Sequence, residues 1–489
     1  MLNMAFKCIL WFAQEHVNFR ISEFESLAKM FGLQFRLVSQ QLLKPFWIVE
    51  FPSEKTALQY ASRSVALRAI FELYSYANTL PDFHNRLRSH VDTHHNELAR
   101  HFSSDSSFKI TVETYNKHFS QREKVEKIET MDYLPIEGAV DLKNPRVELW
   151  YLEFWGLDPK AVPPVPEDIL FGRLLAQGQR HLIKDLSLKK RKFIGNTSMD
   201  AQLSLLMANQ AMVRDGDLVF DPFVGTGSLL VSAAKFGGYV LGADIDYMMV
   251  HAQCRPSRIS QRIREKDESI RANLKQYGCA DRYMDVLVAD FSNPLWHPRL
   301  SFDSIITDPP YGIREATEKV KTKKSGKEDT RSEDMIHYPS TSHYSLQSLY
   351  CDLLEFSAKH LKLGGRLVCW LPFHREDYDE EMLPHHKHLR LVANSEQPLT
   401  GNTSRRLLTY EKSSEYSHSE ALESRKTFVN APSEDFRDRY FNNALESRKD
   451  RRMRKSELRE RGRLEMASRG KIPTDARAKK CDLNKARFA

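Results

Sequence analysis

Cysteine is scarce in this chain. The 489 residues hold six, at Cys8, Cys254, Cys279, Cys351, Cys369 and Cys481, and no two form a C-x-x-C pair. Neither a disulfide framework nor an internal zinc site is indicated, and a reducing, cytosolic or nuclear setting is expected. Long apolar runs are missing as well. The longest are strand-sized, so no segment reads as crossing a membrane. The first twelve residues lack a basic region followed by a small-residue cleavage site, and read as a first strand rather than a signal peptide. There is no acidic excess to repel a polyanion: the net charge is +8, and residues 413–489 account for most of it, with 20 Lys+Arg against 13 Asp+Glu, compared with 53 against 52 elsewhere. With 41% hydrophobic and 28% charged residues the chain is mainly globular, and its length implies two to four domains.

What is present falls into distinct stretches. Residues 1–60 carry a small α/β pattern: Cys8–Phe12, a helical stretch from Arg20 to Met30, and Phe46–Phe51. Residues 61–160 continue it, with a helix expected around Val65 to Tyr76 and a strand at Phe108–Glu113. Residues 161–192 read as a linker, stiff where Pro163, Pro164 and Pro166 cluster and basic further on. Arg173, Arg180 and the run Lys189, Lys190, Arg191, Lys192 are candidates for phosphate contact, against the plainer reading of a solvated helix face.

From 193 to 412 short apolar runs alternate with helical segments: Leu218–Phe220, Tyr239–Leu241, Val286–Val288, Ser304–Ile306 and Arg366–Leu371. This is the signature of a parallel sheet covered on both faces. Leu389–Ala393 and Leu407–Glu411 have no helix between them and predict an antiparallel edge hairpin. Residues 314–342 form a charged insertion that reads as a mobile loop and, by its place, as a substrate lid. The tail, 413–489, is polar and basic, disordered or helical by composition. In it Ala421–Lys426 repeats as Ala444–Lys449, for which there is no physical account.

The chemistry sits at strand ends. Asp308-Pro309-Pro310-Tyr311 closes the run Ser304–Thr307. An exocyclic amine of a nucleobase is a poor nucleophile because its lone pair is delocalised into the ring. An Asp308 carboxylate and a Pro309 carbonyl can each accept one of its N–H groups. Pro309 and Pro310 stiffen the turn and donate nothing, and Tyr311 offers a flat face for a flipped base. An ordinary Asp-Pro turn would look the same in isolation. Three further acids sharpen the pattern. Asp221-Pro222-Phe223-Val224-Gly225-Thr226-Gly227 follows the first strand. It lacks the spacing of a dinucleotide or Walker loop, and Gly225 and Gly227 are expected to let backbone approach a ligand. A glycine-rich turn carrying an acid suits a cationic ligand such as S-adenosylmethionine, with Asp221 near its ammonium. Asp244, after the second strand, is placed for ribose hydroxyls, and Asp246 for capping the next helix. Asp290 can receive the adenine amine, with Phe291 beside the ring.

These residues resemble the class I S-adenosylmethionine-dependent amino-methyltransferases, whose segment before the first strand is similar to Phe193–Asp200; Thr197 and Ser198 are then the contacts to the methionine end. Phe171–Arg173, Gly178–Arg180, Phe220–Gly227, Ile270–Leu274, Ile305–Arg314 and Thr403–Arg406 further resemble the eukaryotic tRNA guanosine-10 N2-methyltransferase catalytic subunits over residues 1–412. The resemblance implies an α/β chain: a Rossmann-like methyltransferase sheet, parallel with an antiparallel edge hairpin, over 193–412. An α+β region precedes it, a ferredoxin-like segment at 1–60 and a tRNA-binding THUMP domain at 61–160. It also implies transfer of a methyl group to guanosine N2 in tRNA, a small zinc-containing activator subunit as heterodimer partner, no metal in this chain, and a cytoplasmic location. The rival readings are an adenine-N6 methyltransferase of DNA or RNA and a non-catalytic tRNA-binding protein.

Overall fold

In a computed structural model, residues 6–38, 41–293, 295–313, 315–321, 340–399, 402–417 and 436 are described. The repeated hexapeptide, the basic run 448–455, and Lys323, Lys324 and Lys327 of the insertion lie outside them.

Strands β1 (Phe6–Phe12), β2 (Arg36–Leu37), β3 (Phe46–Phe51), β4 (Leu67–Ala77), β5 (Phe108–Tyr115), β6 (Val147–Phe154) and β7 (Asp168–Gln177) make one sheet in the order β2-β3-β1-β4-β7-β6-β5. Two sequence expectations are corrected here. The stretch 65–76, read as a helix, is β4. Its apolar residues carry no clear period, and pairing with β1 on one side and β7 on the other decides the matter. The linker 161–192 is a connector only in part, because β7 lies inside it and pairs antiparallel with both β4 and β6. The divisions at 60 and 160 therefore fall within a single hydrogen-bonded sheet.

The second half contains β8 (Leu218–Asp221), β9 (Tyr239–Asp244), β10 (Tyr283–Val288), β11 (Phe302–Thr307), the ribbon strands β12 (Glu318–Val320) and β13 (Thr341–His343), then β14 (Leu361–His374), β15 (Leu389–Pro398) and β16 (Thr403–Lys412). The sheet order is β10-β9-β8-β11-β14-β16-β15. The first five strands are parallel, and β16 and β15 are antiparallel, as the missing helix between them predicts. Alternation along each strand feeds two cores. Ile306, Val368 and Trp370 pack with helices Ala201–Gln210 and Ser228–Lys235 on one face. Ile305, Leu367 and Cys369 pack with helix Leu346–His360 on the other. The insertion is not a plain loop at its base, where β12 and β13 pair antiparallel.

The two halves share the first core, which runs from Leu10 and Phe24 through Leu206 to Trp370. A buried polar knot pins them. Glu23 accepts from Ser64 Oγ, Val65 N–H, Ala66 N–H and, across the halves, Asn209 Nδ2. Four donors satisfy a fully buried carboxylate that would otherwise be costly.

Candidate active site

Strand order reverses between β8 and β11: β9 and β10 lie to one side, β14 to the other. The crevice outside the carboxyl ends of such strands is where open α/β sheets bind ligands. Both motifs open into it. Thr307, the last residue of β11, donates through Oγ1 to Asp221 Oδ1 at 2.7 Å, so the glycine turn and the Asp308 turn are tied together at their roots.

Two adjoining cavities of about 510 and 560 Å³ occupy the crevice and share Phe223, Gly225, Pro310 and Glu315. Thr197, Ser198, Asp221, Thr226, Asp308, Pro309 and Tyr311 line the first. Asp244, Asp290 and Phe291 line the second. Four strand-end acids, more than 80 residues apart at the extremes, thus line one crevice.

The local geometry follows from the sequence. Phe223 N–H bonds Asp221 Oδ1 at 3.1 Å, an Asx turn that starts the loop. Gly225 has φ 50° with nothing within 4 Å of where a Cβ would be. Gly227 has φ 75°, but a Cβ there would lie 2.6 Å from Ile270 Cγ2, and Gly227 lines neither cavity. Of the two glycines expected to let backbone approach a ligand, Gly225 lines both cavities and Gly227 neither. Gly227 serves the packing of helix Ile270–Gln276 against helix Ser228–Lys235. Asp244 accepts from Gly225 N–H at 2.8 Å and Asp246 N–H at 3.0 Å. Asp246 caps the helix Tyr247–Val250 through Met249 N–H, as expected. Ser198 binds Thr226 at 2.6 Å and Gly195 N–H at 2.8 Å, clasping the upstream segment to the glycine turn, while Thr197 donates to Glu315. Asp290 takes Ser292 N–H and, at 2.8 Å, Val320 N–H of β12, so the insertion's ribbon is tied to it. Phe291 packs on Phe223, ring centroids 5.0 Å apart.

Burial dominates the electrostatics. It pushes Asp221 up to about 8, against the lowering effect of its Thr307 and Phe223 hydrogen bonds. It pushes Asp244 up to about 6. Asp308 is also raised by burial, opposed by Arg405 and by the Tyr311 hydroxyl that it accepts. Glu315, in both cavities, is raised in the same way. Burial thus holds these carboxyls toward their neutral forms, and a cationic ligand beside them would favour ionisation.

Glu315 and Arg405 were not singled out as site residues from sequence. Glu315 belongs to the charged insertion, where acids and bases alternate without pattern. Arg405 stood only among the residues carrying the family resemblance. The one signal was the pair Arg405-Arg406 set directly before Leu407 and Leu408 in a strand.

The basic candidates divide. Arg173 is spent within the N-terminal half, bonded to Glu72 of β4 at 2.8 Å and to Glu54, at the start of helix Glu54–Ala61, at 2.9 Å. Arg191 is fully buried and donates to Ser228 Oγ and Leu186 carbonyl, both at 2.9 Å. Both are corrected from phosphate contacts to internal ties, because a run of cations in sequence does not say which one turns inward. Arg180 pairs with Glu15 at 2.6 Å, and Lys192 with Asp267. Lys189 and Lys190 are exposed.

Comparison with known proteins agrees with this geometry. Residues 6–180 match the Tmrp11 THUMP N-terminal domain, and residues 189–325 the RMKL-like methyltransferase domain. The tRNA (guanine(10)-N(2))-methyltransferase TRMT11 of Gallus gallus is 46% identical over 411 residues, which cover 83% of this chain and 88% of that protein. The chain belongs to the tRNA (guanine(10)-N(2))-methyltransferase family. The Saccharomyces cerevisiae tRNA (guanine(10)-N(2))-methyltransferase is 35% identical over 89% of this chain and 99% of its own length. Among solved structures, TrmN from Thermus thermophilus is 17% identical, covers 83% of this chain and 99% of its own, and aligns with a TM-score of 0.41. The family is the one its motifs resemble, and its N-terminal domain takes in β1 through β7, the same unit that the sheet defines.

Proposed function

We propose that this chain uses S-adenosylmethionine to methylate the N2 amine of a guanosine in tRNA, at position 10 as its relatives are named. The observation that carries this is the convergence of the Asp221 turn and the Asp308-Pro309-Pro310-Tyr311 turn on one crevice at the reversal of strand order. The crevice suits the cofactor: a buried acid for an ammonium, open space beside Gly225, and Asp244 and Asp290 at the next two strand ends. When bound, S-adenosylmethionine supplies a sulfonium methyl. The residues of the chain supply position. A carboxylate has about four lone-pair sites, so Asp308 can keep its bonds to Tyr311 and Arg405 and still accept an amine N–H. The Pro309 carbonyl takes the other, and Tyr311 lines the cavity in which a flipped base would stack. Holding the amine in line is the main contribution to rate: positive charge only moves, from the sulfonium to the amine nitrogen, which then sheds a proton that Asp308 is placed to take.

The N-terminal domain would hold tRNA, aided by Lys189 and Lys190, which precede the segment that enters the site. We place a small zinc-containing activator subunit on β10. That strand is the outer edge of its sheet, and Met284, Leu287 and Val288 on it are 53%, 41% and 42% exposed. An unpaired apolar edge is a template for an added strand. We place the activity in the cytoplasm, where the free thiols of Cys8, Cys254, Cys279, Cys351 and Cys369 stay reduced; no described helix is long and apolar enough to cross a membrane.

The test is methyl transfer from labelled cofactor to unmodified tRNA transcripts, with and without the small subunit, followed by mass identification of nucleosides. N2-methylguanosine is expected. N6-methyladenosine as the product, or cofactor binding without turnover on any RNA, would refute the proposal.

A further inference from the structure

Arg405 lies on β16, 97 residues from Asp308 in sequence, yet its Nη1 is 3.2 Å from Asp308 Oδ2 and 3.4 Å from Tyr311 Oη. The guanidinium is held from three sides. Nε donates to Gln397 Oε1 at 2.7 Å, across the β15–β16 pair. The guanidinium carbon lies 4.0 Å from the ring centroid of the fully buried Trp370 on β14. Nη2 rests 3.5 Å from Met199 Sδ. Only 12% of the side chain is exposed. A buried cation so constrained costs desolvation unless its charge is used, and its partner is the carboxylate at the head of the Asp308 turn.

The groups that face Asp308 come from every packed element: Asp221 at the end of β8, Tyr311 and Glu315 from its own turn, Tyr350 from helix Leu346–His360, Cys369 from β14 and Arg405 from β16. Five are acids or neutral acid forms, and Arg405 is the cation in that set. Asp200 is a further acid near enough to Arg405 to influence it.

We propose that Arg405 is a positioning residue for methyl transfer: it holds Asp308 as an aimed carboxylate with lone pairs left for the amine of the target base. Its place explains why the antiparallel hairpin matters to a site built on the parallel strands. The hairpin carries the counter-charge, and Gln397 and Trp370 set its direction. Burial alone drives Asp308 toward its neutral form, which has a hydroxyl where an acceptor is needed; Arg405 opposes that. The inference rests on the methyl-transfer reading above.

The test compares Arg405→Gln and Arg405→Lys in the full chain, with its activator subunit if one is required. In Arg405→Gln, kcat should fall with little change in KM for tRNA. The acid limb of the rate profile should move to higher pH by roughly one to three units, the usual influence of an arginine on a neighbouring aspartate. Arg405→Lys should restore the position of the limb but not the full rate, since a point charge replaces a planar fork. Adding Arg405→Gln to Asp308→Asn should cost no further activity. An unmoved acid limb, or losses that add in the double variant, would overturn the proposal. A second measurement serves if Arg405→Gln does not fold. The carboxyl 13C signal of Asp308 in the unaltered chain, identified by its loss in Asp308→Asn, should report an ionised group at pH 7; a protonated one overturns the proposal. Absence of methylated guanosine with the unaltered chain would sink the functional reading, while the carboxyl signal still decides the pairing.

Discussion

Replacing Asp221 with asparagine should stabilise the fold and weaken cofactor binding at the same time. Asp221 is 1% exposed, and both of its donors, Thr307 and Phe223, reach Oδ1, an oxygen that asparagine retains. Burial raises the carboxyl from 3.8 to about 8. The sign follows from linkage. Between those values the folded chain holds a proton that the unfolded chain has released, so stability is lost as pH rises from about 4 to about 8. At pH 7 the gap from 3.8 corresponds to about 4 kcal/mol at 1.36 kcal/mol per unit. Asparagine removes that cost. The melting temperature of the variant should exceed that of the parent at pH 7 by up to roughly 10 °C for a domain of this size, and by little at pH 4. The cofactor reverses the ordering. A cationic ligand needs the ionised form, so binding at pH 7 should release a proton from this group, visible as a buffer-dependent enthalpy in calorimetry. The variant should release none from this group and bind at least about tenfold more weakly, the loss of one charge-assisted hydrogen bond. A stability gain equal at pH 4 and pH 7, or binding with no proton release at pH 7, would refute the reasoning.

Asp308→Ala should abolish methylation while leaving tRNA affinity nearly unchanged; turnover in that variant would remove Asp308 from its assigned role. Gly227→Ala should destabilise the chain by about 1–3 kcal/mol, since the new Cβ meets Ile270 at 2.6 Å in a backbone at φ 75° that alanine resists; unaltered thermal melting would contradict this. Lys189→Ala with Lys190→Ala should weaken tRNA binding and lower its salt slope by about one to two. Arg191→Ala should leave that slope alone and cost stability instead, because its guanidinium is buried against Ser228 and Leu186. Equal salt slopes for the two sets would show that the division between surface and internal cations is wrong.

The sequence alone determined the parallel sheet with its edge hairpin, the four strand-end acids and the Asp308-Pro309-Pro310-Tyr311 turn. Each of these is local: a short apolar run marks a buried strand, and the residue that follows it must sit at the strand's carboxyl end. The tertiary structure decided what depends on partners distant in the chain. β4 carries an apolar run of ambiguous period and became a strand because β1 and β7 flank it. β7 could not be seen inside a proline-rich and basic stretch. Arg173 and Arg191 look in sequence like Lys189 and Lys190, and only packing against Glu72 and Ser228 turns them inward. Arg405 joins Asp308 across 97 residues because β16 lies beside β14, a neighbour relation set by sheet order. A side chain's type is written in the chain, but its charge state and its direction belong to whatever surrounds it once the chain has folded.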